Sequence, residues 1–416
     1  MSTNTPISES PSSHDEPIVS VVPAVTPHPM RITRRRVFAL AGAGTLVLVV
    51  GGGVWRAADQ GVFSTGDGPA YTPWADWRSA APGSLNLVRA AILASNAHNT
   101  QPWVFHVTNS RIELYADLSR RIGLADPFLS EMHIGLGCAL ENMLLAAPAN
   151  GFAPQLTLLP DAADPTFIAR IDLLPAATSA SALYQAIPHR HTNRYPYDTN
   201  HPITQTTLNA LSALNTDPMV RVLWMNVGVQ RQHMGDLMIA AAHAFVADRP
   251  LDIQDNSWYR GTWQEVQQHR DGITLDASGL SDFTRALGKM LPPESLDQQD
   301  GYFLQGLQSQ VQTAGALGML AARNKRDNAQ RISVGQVWQR MHSWATTQGL
   351  SMQPLNQLTE MADREVMLGS NPHFGDELGA LIPDTSWQGV FTFRAGYATH
   401  AAFPSPRRPL TDVVQS

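Results

Sequence analysis

Arginine, histidine and threonine side chains are concentrated in one short segment of this sequence, His189–Pro196. Arg190 and Arg194 flank Thr192, and a proline stands on either side of the cluster. Bidentate guanidinium contacts and a hydroxyl donor can together satisfy the oxygens of a phosphate monoester. A solvated charged segment is the alternative, but the prolines stiffen the backbone and argue against it. The segment therefore predicts a phosphate site.

A second polar group is the loop from Ser95 to Pro102, which is dense in side-chain donors and acceptors. It lies between a helix predicted to begin near Ser84 and a strand predicted at Trp103–Val107. A helix-to-strand turn of this kind can present amides and carbonyls to the rim of a planar heterocycle. The alternative is a connecting turn whose asparagines hydrogen-bond to their own backbone.

A pair of arginines, Arg407 and Arg408, follows the last predicted strand and is held between prolines. The pair completes a phosphate site or belongs to a solvated tail. Lysine occurs only at Lys289 and Lys325, so any phosphate is expected to be held by planar guanidinium groups.

The composition limits the partners of these groups. A net charge of −6 offers no broad basic surface, which argues against nucleic acid as a partner. The single cysteine, Cys138, cannot close an intrachain disulfide or build a cysteine-based metal site. His189 and His191 have no third ligand nearby in sequence, so we predict no metal centre. With 43% apolar residues over 416 positions, a large globular body is expected.

The first 83 residues are expected to lie outside this body. Residues 1–30 contain six prolines and six serines and predict a disordered tail. Residues 31–57 hold Arg35 and Arg36, followed by an uncharged run of 19 residues, 37–55. That length matches the roughly 17–25 residues that cross a bilayer as a helix. Residues 58–83 are rich in glycine, proline and tryptophan and predict a linker.

The arginine pair before the apolar run resembles a twin-arginine export motif. A plain membrane anchor with a basic flank is one alternative, and a buried core helix is another. Because the cluster of arginines precedes the run, the positive-inside tendency places everything after Trp55 outside the cytoplasm. We therefore expect the body on the extracytoplasmic side of the bacterial cell membrane, anchored through residues 37–55 or exported by the twin-arginine route.

The remaining chain predicts an α+β fold in two related halves, residues 84–182 and 183–416. The helical segment that ends before Gly151 aligns with the one that ends before Gly349, which indicates a duplication. Any two amphipathic helices that end in glycine look alike, so this evidence is weak alone.

Two further features belong to the second half. The pattern from Ser333 to Gln336 resembles a capping box that opens its helix. An insertion at about 247–327 is predicted to be mostly helical, especially over Gly301–Met319. It acts as a lid over a site or consists of ordinary packing helices.

Taken together, the motifs resemble those of the nitroreductase family. Asn96–Trp103 resembles its (P)S-x-x-N-x-Q-P-W signature, and Arg190–Arg194 is similar to its R-[RH]-[ST]-x-[RK] phosphate motif. Phe393–Tyr397, followed by Arg407–Leu410, resembles its closing strand and arginine. In ordinary nitroreductases the arginine motif comes first, whereas here the loop motif does. This order resembles the Acg-like branch, in which two nitroreductase-like halves in one polypeptide form a pseudo-dimer.

The resemblance implies one complete flavin mononucleotide (FMN) site in a monomeric chain. The residues that it assigns to the phosphate are Arg190, His191, Thr192, Arg194, Arg407 and Arg408. Those that it assigns to the ring or ribityl portion are Asn96, Ala97, Asn99 and Gln101. Those that it assigns to the cover of the ring are Met352, Gln353 and Pro354.

The resemblance also implies an FMN-dependent oxidoreductase. Such an enzyme would take electrons from NAD(P)H or another donor and pass them to an electron-poor small molecule. Because the flavin carries the redox chemistry, no protein acid or base is required, and we name no catalytic residue. The alternative is an FMN-binding protein that stores or sequesters the flavin without turnover.

Overall fold

The computed structural model describes residues 52–78, 81–292 and 294–415. The predicted tail, 1–30, and most of the predicted membrane segment, 37–55, lie outside these residues. Within the described ranges, no helix combines the length and apolar character needed to cross a bilayer.

The described helices are, in chain order, α1 (Gly52–Asp59), α2 (Thr72–Ala75), α3 (Ser84–Ala91), α4 (Ser130–Ala149), α5 (Ala182–Ala186), α6 (Gln205–Ala213), α7 (Gly228–Ala247), α8 (Arg249–Asn256), α9 (Trp263–His269), α10 (Asp282–Met290), α11 (Leu296–Gln312), α12 (Asn328–Thr347), α13 (Gln357–Leu368), α14 (His373–Ala380) and α15 (Leu410–Val413). The described strands are β1 (Trp103–Val107), β2 (Arg111–Ala116), β3 (Phe152–Leu158), β4 (Phe167–Pro175), β5 (Val220–Met225), β6 (Tyr259–Arg260), β7 (Ile273–Thr274), β8 (Ala316–Ala322), β9 (Ser351–Pro354), β10 (Gln388–Gly396) and β11 (Val414–Gln415).

Two 20-residue helices, α4 and α12, pack against each other in the core. Their backbones touch at two glycines: a side chain on Gly137 would overlap the carbonyl oxygen of Ile332, and one on Gly335 would overlap that of Ile134. The same interval separates Ile134 from Ile332 and Gly137 from Gly335 in the sequence. The contact is therefore reciprocal, as at an approximate twofold axis, and it keeps the register of the predicted duplication.

Each of these helices packs against its own sheet. Helix α4 contacts the five-stranded sheet, in the order β11-β1-β2-β4-β3, and α12 contacts the four-stranded sheet, in the order β5-β8-β10-β9. Neighbouring strands are antiparallel except that β11, from the end of the described chain, joins β1 in parallel. The predicted α+β class is confirmed, and β11 ties the C-terminal residues to the first sheet.

Strand β8 lies in the segment that was predicted to be mainly helical. Helix α11 ends at Gln312 and the strand begins at Ala316, so the predicted helical run Gly301–Met319 is wrong over its last residues. All of β8 is buried, because α12 packs on one of its faces and α7 on the other. A strand covered on both faces has continuous apolar residues rather than alternation, and its alanine, leucine and methionine favour helix locally. The tertiary position therefore decides its structure.

The beginning of helix α12 also differs from the prediction. The carboxylate of Asp327 accepts hydrogen bonds from the backbone N–H groups of Ala329 and Gln330, so the helix starts before Ser333, the predicted cap. Asp327 is the N-cap of this helix, and Ser333 lies inside the helix, about one and a half turns after the cap. The predicted end is confirmed, because Gly349 follows the last turn with φ of 70°.

The segment interpreted as a linker, 58–83, packs against the body where the structure describes it. The carbonyl of Ala70 accepts a hydrogen bond from the backbone N–H of Arg407 at 2.7 Å. The indole Nε1 of Trp74 donates to the carbonyl of Ser405 at 2.8 Å. These contacts join the first described residues to the C-terminal tail.

Candidate functional site

A cleft lies where the arginine segment, the polar loop and the C-terminal tail meet. Its volume is about 40 Å³, enough for a few water-sized groups. The sequence-predicted residues that line it are Asn96, Asn99, Arg190, His191, Thr192, Arg194 and Arg407. The other lining residues are Trp74, Ser95, Gly272, Ile273, Ala277 and Ser405. The fold therefore brings together side chains that lie far apart in sequence.

Arg190 follows the short turn Ile187–His189, and the residue is 2% exposed. One terminal nitrogen donates to the carbonyl of Leu93 at 3.0 Å, and the other lies 3.4 Å from Nδ1 of His342. The Nε atom has no hydrogen-bond partner. Burial lowers the pKa of this guanidinium to about 10, because a charge held away from water is disfavoured.

Arg407 enters the cleft from the C-terminal tail and is 3% exposed. Its guanidinium donates to Oδ1 of Asn99 and lies 4.8 Å from the centre of the Trp74 ring. Its Nε atom also lacks a partner. Burial, followed by repulsion from Arg190, lowers its pKa well below the usual value. Both arginines thus carry an unused donor in a buried position.

Arg194 completes the guanidinium cluster. It donates to the carbonyl of Ala277 at 3.2 Å, and burial lowers its pKa. Arg340, elsewhere in the core, lies 2.8 Å from the carboxylate of Glu141. None of the three cleft arginines makes such an ion pair within the described residues. The cleft therefore holds buried positive charge without a counterion, which favours binding of an anion.

The imidazoles beside these arginines are neutral. Burial, followed by the charge of Arg190, lowers the pKa of His342 well below its usual value. Its Nε2 donates to the carbonyl of His191 at 3.3 Å, which leaves Nδ1 to accept from Arg190. Burial, then Arg190 and Arg407, lowers the pKa of His191 to about 3. The two rings add hydrogen-bonding groups to the site without adding charge.

The polar loop is held in a strained conformation. His98, Asn99 and Gln101 all have positive φ, between 48° and 54°, a region that residues other than glycine rarely occupy. Oδ1 of Asn96 accepts a hydrogen bond from the backbone N–H of Gln101 at 2.8 Å and closes the loop. Nδ2 of Asn99 donates to the carbonyl of Pro406 at 2.9 Å. These contacts fix the face that Asn96 and Asn99 present to the cleft.

The other predicted loop residues lie outside the cleft lining. Gln101 is fully buried: its Nε2 donates to the carbonyl of Arg270, and its Oε1 accepts from the backbone N–H of Arg408, both at 2.8 Å. The Arg408 side chain donates to the carbonyls of Gln101 and Asp412. Ala97 packs against an apolar cluster. Gln101 and Arg408 therefore tie the loop to the C-terminal tail.

The predicted ring-covering residues also lie elsewhere. Met352 is fully buried in the core. Pro354, in strand β9, pairs with Phe393 in strand β10. Oε1 of Gln353 accepts from Arg394 Nε at 2.7 Å. The family resemblance suggested the cleft, but the pairing of β9 with β10 directs these residues into the second sheet.

Sequence reasoning missed Trp74 and the residues from the insertion. Trp74 lies edge-on to the ring of His191, with centroids 4.5 Å apart. A tryptophan beside a proline, in a segment that also contains Tyr71 and Trp77, was the available signal. Nothing in the local pattern indicated that Gly272, Ile273 and Ala277 would form a wall of the cleft. They come from the insertion, near the short β6–β7 pair.

Metal-ligating residues do not cluster in the described chain: no group of three or more histidine, cysteine, aspartate or glutamate side chains is arranged to hold an ion there. Anion binding by arginine is the chemistry that this cleft supports.

Comparisons with known proteins relate part of the sequence to nitroreductases. No protein-family model matches it. "Putative NAD(P)H nitroreductase Rv3131" of Mycobacterium tuberculosis is 31% identical over 113 residues, 27% of this chain and 33% of that protein. "Putative NAD(P)H nitroreductase acg" of the same organism is 31% identical over 115 residues, 27% and 35% of the two chains. The match spans about a third of the length of these relatives.

Solved structures are similar at lower identity. The FMN-dependent nitroreductase NfnB of Mycobacterium smegmatis in complex with NADPH is 20% identical, with a TM-score of 0.36, over 56% of this chain and 97% of that one. A nitroreductase with bound FMN from Desulfitobacterium hafniense is 13% identical, with a TM-score of 0.34, over 57% and 99%. Over about a quarter of its length, this chain is similar in sequence to proteins named NAD(P)H nitroreductases.

Proposed function

We propose that this chain is an FMN-dependent oxidoreductase of the nitroreductase type. The observation that carries the proposal is the buried pair Arg190 and Arg407, each with an unpartnered Nε and neither with a carboxylate partner in the described residues. A phosphate monoester brings negative charge and three acceptor oxygens to such a site. The sequence motifs and the names of the relatives favour FMN as the molecule that carries the phosphate.

Arg190, Arg194 and Arg407 would hold the phosphate, with the Thr192 hydroxyl as a further donor and neutral His191 beside them. The unpartnered Nε atoms are the donors that an oxygen of the ligand would satisfy. Arg408 is left out of this set, because its guanidinium donates to main-chain carbonyls outside the cleft.

The flavin ring would lie against the loop side, where Asn96 and Asn99 face the cleft. A cleft of about 40 Å³ has room for a phosphate group, whereas cofactor sites enclose roughly 300–1,000 Å³. Binding of the whole flavin therefore requires a wall to open. Gly272, Ile273 and Ala277 form the wall that the insertion contributes, and we propose that it moves.

When bound, FMN supplies the electron-transfer chemistry between NAD(P)H and an electron-poor small molecule. The chain itself binds and orients the phosphate through fixed guanidinium groups and excludes water from the phosphate end of the site. No described side chain is assigned a proton-transfer step.

The test combines an absorption spectrum of the purified full chain with two variants. Wild type should show flavin bands. Arg190→Ala combined with Arg194→Ala should lose most of the flavin, because the phosphate loses two of its cationic partners. Arg111→Ala is the control, since Arg111 is an exposed arginine on β2 whose guanidinium pairs with Asp172 outside the cleft, and it should keep the flavin.

Thermal unfolding distinguishes loss of binding from loss of folding. A ligand that binds only the folded state raises the melting temperature. Added FMN should stabilise the wild type and the control but not the double variant. A folded double variant with a full flavin complement would refute the phosphate assignment.

Turnover is tested separately from binding. Under anaerobic conditions, NADH or NADPH should bleach the bound flavin. If flavin is bound but neither donor bleaches it, the storage function holds instead of the reductase function.

We further propose that the two halves form one site in a monomeric chain and that the body faces the extracytoplasmic side of the bacterial membrane. The reciprocal α4–α12 contact supports the pseudo-dimer. The arginine pair and the uncharged run 37–55 support membrane insertion. Flotation of the intact chain with lipid vesicles is the expected signature of the anchor.

A further inference from the structure

Helix α10 exposes apolar side chains and buries cationic ones. Phe283, Leu287 and Leu291, spaced four residues apart along and just past the helix, are 63%, 43% and 50% exposed. The cationic residues on the other face, Arg285 and Lys289, are each only 7% exposed. A helix that faces water normally has the opposite arrangement. The outer face of α10 therefore has the character of a surface that contacts an apolar phase.

The inward cations fix this orientation. Lys289 Nζ lies 2.6 Å from the carboxylate of buried Asp276 and donates to the carbonyl of Gly61 at 2.9 Å. Arg285 Nε lies 3.5 Å from the same carboxylate. Rotation of the helix to bury its leucines would separate both cations from their partner, at a high cost in a buried site. The apolar stripe is thus held outward.

The stripe lies beside the point where the described chain begins. The guanidinium of Arg56, on α1, donates to the carbonyl of Met290 at 3.2 and 3.1 Å. Helix α1 starts at Gly52, inside the uncharged run 37–55, and Trp55 at the end of that run is 70% exposed. The residue that directly follows the apolar run is therefore hydrogen-bonded to the last residue of α10.

We infer that α10 lies in the lipid–water interface, with Phe283, Leu287 and Leu291 in the boundary between headgroups and acyl chains. This inference rests on the proposal that residues 37–55 insert into the membrane. An interfacial helix buries its apolar face roughly 5–10 Å below the headgroups, and tryptophan is enriched at that level, where Trp55 would lie. The contacts from Arg56 and Lys289 would hold the body against the bilayer.

A bilayer fits this stripe better than a second copy of the chain does. Stable protein interfaces bury roughly 1,200–2,000 Å² in total, more than three side chains on one nine-residue helix provide. A surface that an anchor already holds at the membrane needs little affinity of its own, because its effective concentration there is high.

The experiment places a polarity-sensitive thiol label at Leu287→Cys in the full chain, reconstituted into phosphatidylcholine–phosphatidylglycerol vesicles. The native thiol, Cys138, is buried and its pKa is raised by burial, so it should stay unlabelled. Leu174→Cys is the matched control, because Leu174 is 45% exposed, about as much as Leu287, but lies on strand β4 of the five-stranded sheet. Part of the phosphatidylcholine is replaced by a brominated form, which quenches only a label that contacts acyl chains.

We expect the chain to float with the vesicles, and the label at 287 to emit at a shorter wavelength than the label at 174 and to be quenched by brominated lipid. Flotation with an unshifted label at 287 would overturn the inference but not the anchor. A shifted label that brominated lipid does not quench would show that protein covers the stripe, and would also overturn it. Absence of flotation would overturn both the anchor and the inference, and would leave the flavin proposal standing.

Discussion

Glu131, on α4, and Glu360, on α13, form a buried carboxyl pair. The pair lies near His98, which belongs to the strained polar loop. The two carboxyls are held together away from water, so a charge on one disfavours a charge on the other. Burial raises the pKa of Glu131 to about 7. Burial, together with the charge of Glu131, raises the pKa of Glu360 well above its usual value. His98 pairs with Asp255, whose carboxylate lies 2.7 Å from the imidazole Nε2. The two glutamates therefore do not form a separate ion pair with His98.

We expect Glu360→Gln to remove part of the pH dependence of folding. Below about pH 4.5 the glutamates are protonated in both states, and the pair contributes no difference. Between about pH 4.5 and 7 the unfolded chain releases protons that the folded chain keeps, so the free energy of unfolding of the wild type falls as pH rises. The variant should gain stability relative to the wild type as the pH rises across this window, because it lacks the proton that Glu360 keeps in the folded state. Urea unfolding at both ends of the window measures the gain.

Glu294→Gln, at an exposed glutamate, is the control for this comparison. Its free energy of unfolding should differ from that of the wild type by the same amount at both pH values. Equal pH slopes for Glu360→Gln and the wild type would mean that the pair does not retain a proton in the folded state.

Residues of the candidate site were predictable where the type of side chain alone indicates what it can bind. Arg190, Arg194 and Arg407 stand out because their guanidinium groups can hold a phosphate, and all three reach the cleft. Met352 and Gln353 were assigned through the family resemblance, but the pairing of β9 with β10 decides where they point. Long-range pairing is not encoded in a local pattern, so this part of the site was not predictable.

At the scale of elements, the close contact between α4 and α12 depends on two glycines. The carbonyl oxygen of Ile332 occupies the space that a Cβ on Gly137 would need, and Ile134 does the same for Gly335. Neither carbonyl can move without shifting its helix, because main-chain atoms lack the rotational freedom of a side chain. The two sheets, the arginine segment and the polar loop are all positioned relative to this helix pair.

We expect Gly137→Ala to destabilise the fold by about 3 kcal/mol or more, because overpacking against backbone cannot be relieved by a rotamer change. Gly301→Ala is the matched control: Gly301 lies inside α11, with no atom near the position of its Cβ. Alanine there should stabilise the helix by about 0.5–1 kcal/mol, because glycine loses more backbone entropy on folding. Denaturant midpoints for both variants and the wild type measure the two effects.

A Gly137→Ala protein as stable as the wild type would show that the helices can separate at no cost. The reciprocal contact would then carry no information about how the two halves are joined.

Elements were predictable where local periodicity and burial agree. Strand β1 and the end of α12 at Gly349 follow from alternation and from a glycine stop. Strand β8 fails this condition, because α12 and α7 bury its two faces, so its residues do not alternate between apolar and polar. The α+β class was accessible from sequence, whereas the order of strands in each sheet was not.

At the scale of the whole molecule, the two ends of the described body meet at the cleft. Trp74 covers Arg407 from the N-terminal side, and Ala70 accepts the hydrogen bond from its backbone N–H. From the other side, strand β11 pairs in parallel with β1, which directly follows the polar loop. The segment between the apolar run and the body is thus part of the cleft wall.

This arrangement predicts different outcomes for two truncations. A chain of residues 52–416 keeps Trp74 and should hold FMN as tightly as the full chain. A chain of residues 79–416 loses the cover of Arg407 and the acceptor at Ala70, which exposes the site to water. Its FMN affinity should fall by about tenfold or more, since a buried cation–π contact alone contributes up to about 2 kcal/mol.

Trp74→Ala in the 52–416 chain separates the contribution of the ring from that of the whole segment. We expect an intermediate loss of affinity, because the Ala70–Arg407 hydrogen bond stays in place. Fluorescence titration with FMN measures the dissociation constants of the full chain, the two truncations and the variant, and circular dichroism checks that each chain is folded. If the folded 79–416 chain binds FMN as tightly as the 52–416 chain, residues 58–78 act only as a tether. If it does not, residues 58–78 also close the proposed flavin site.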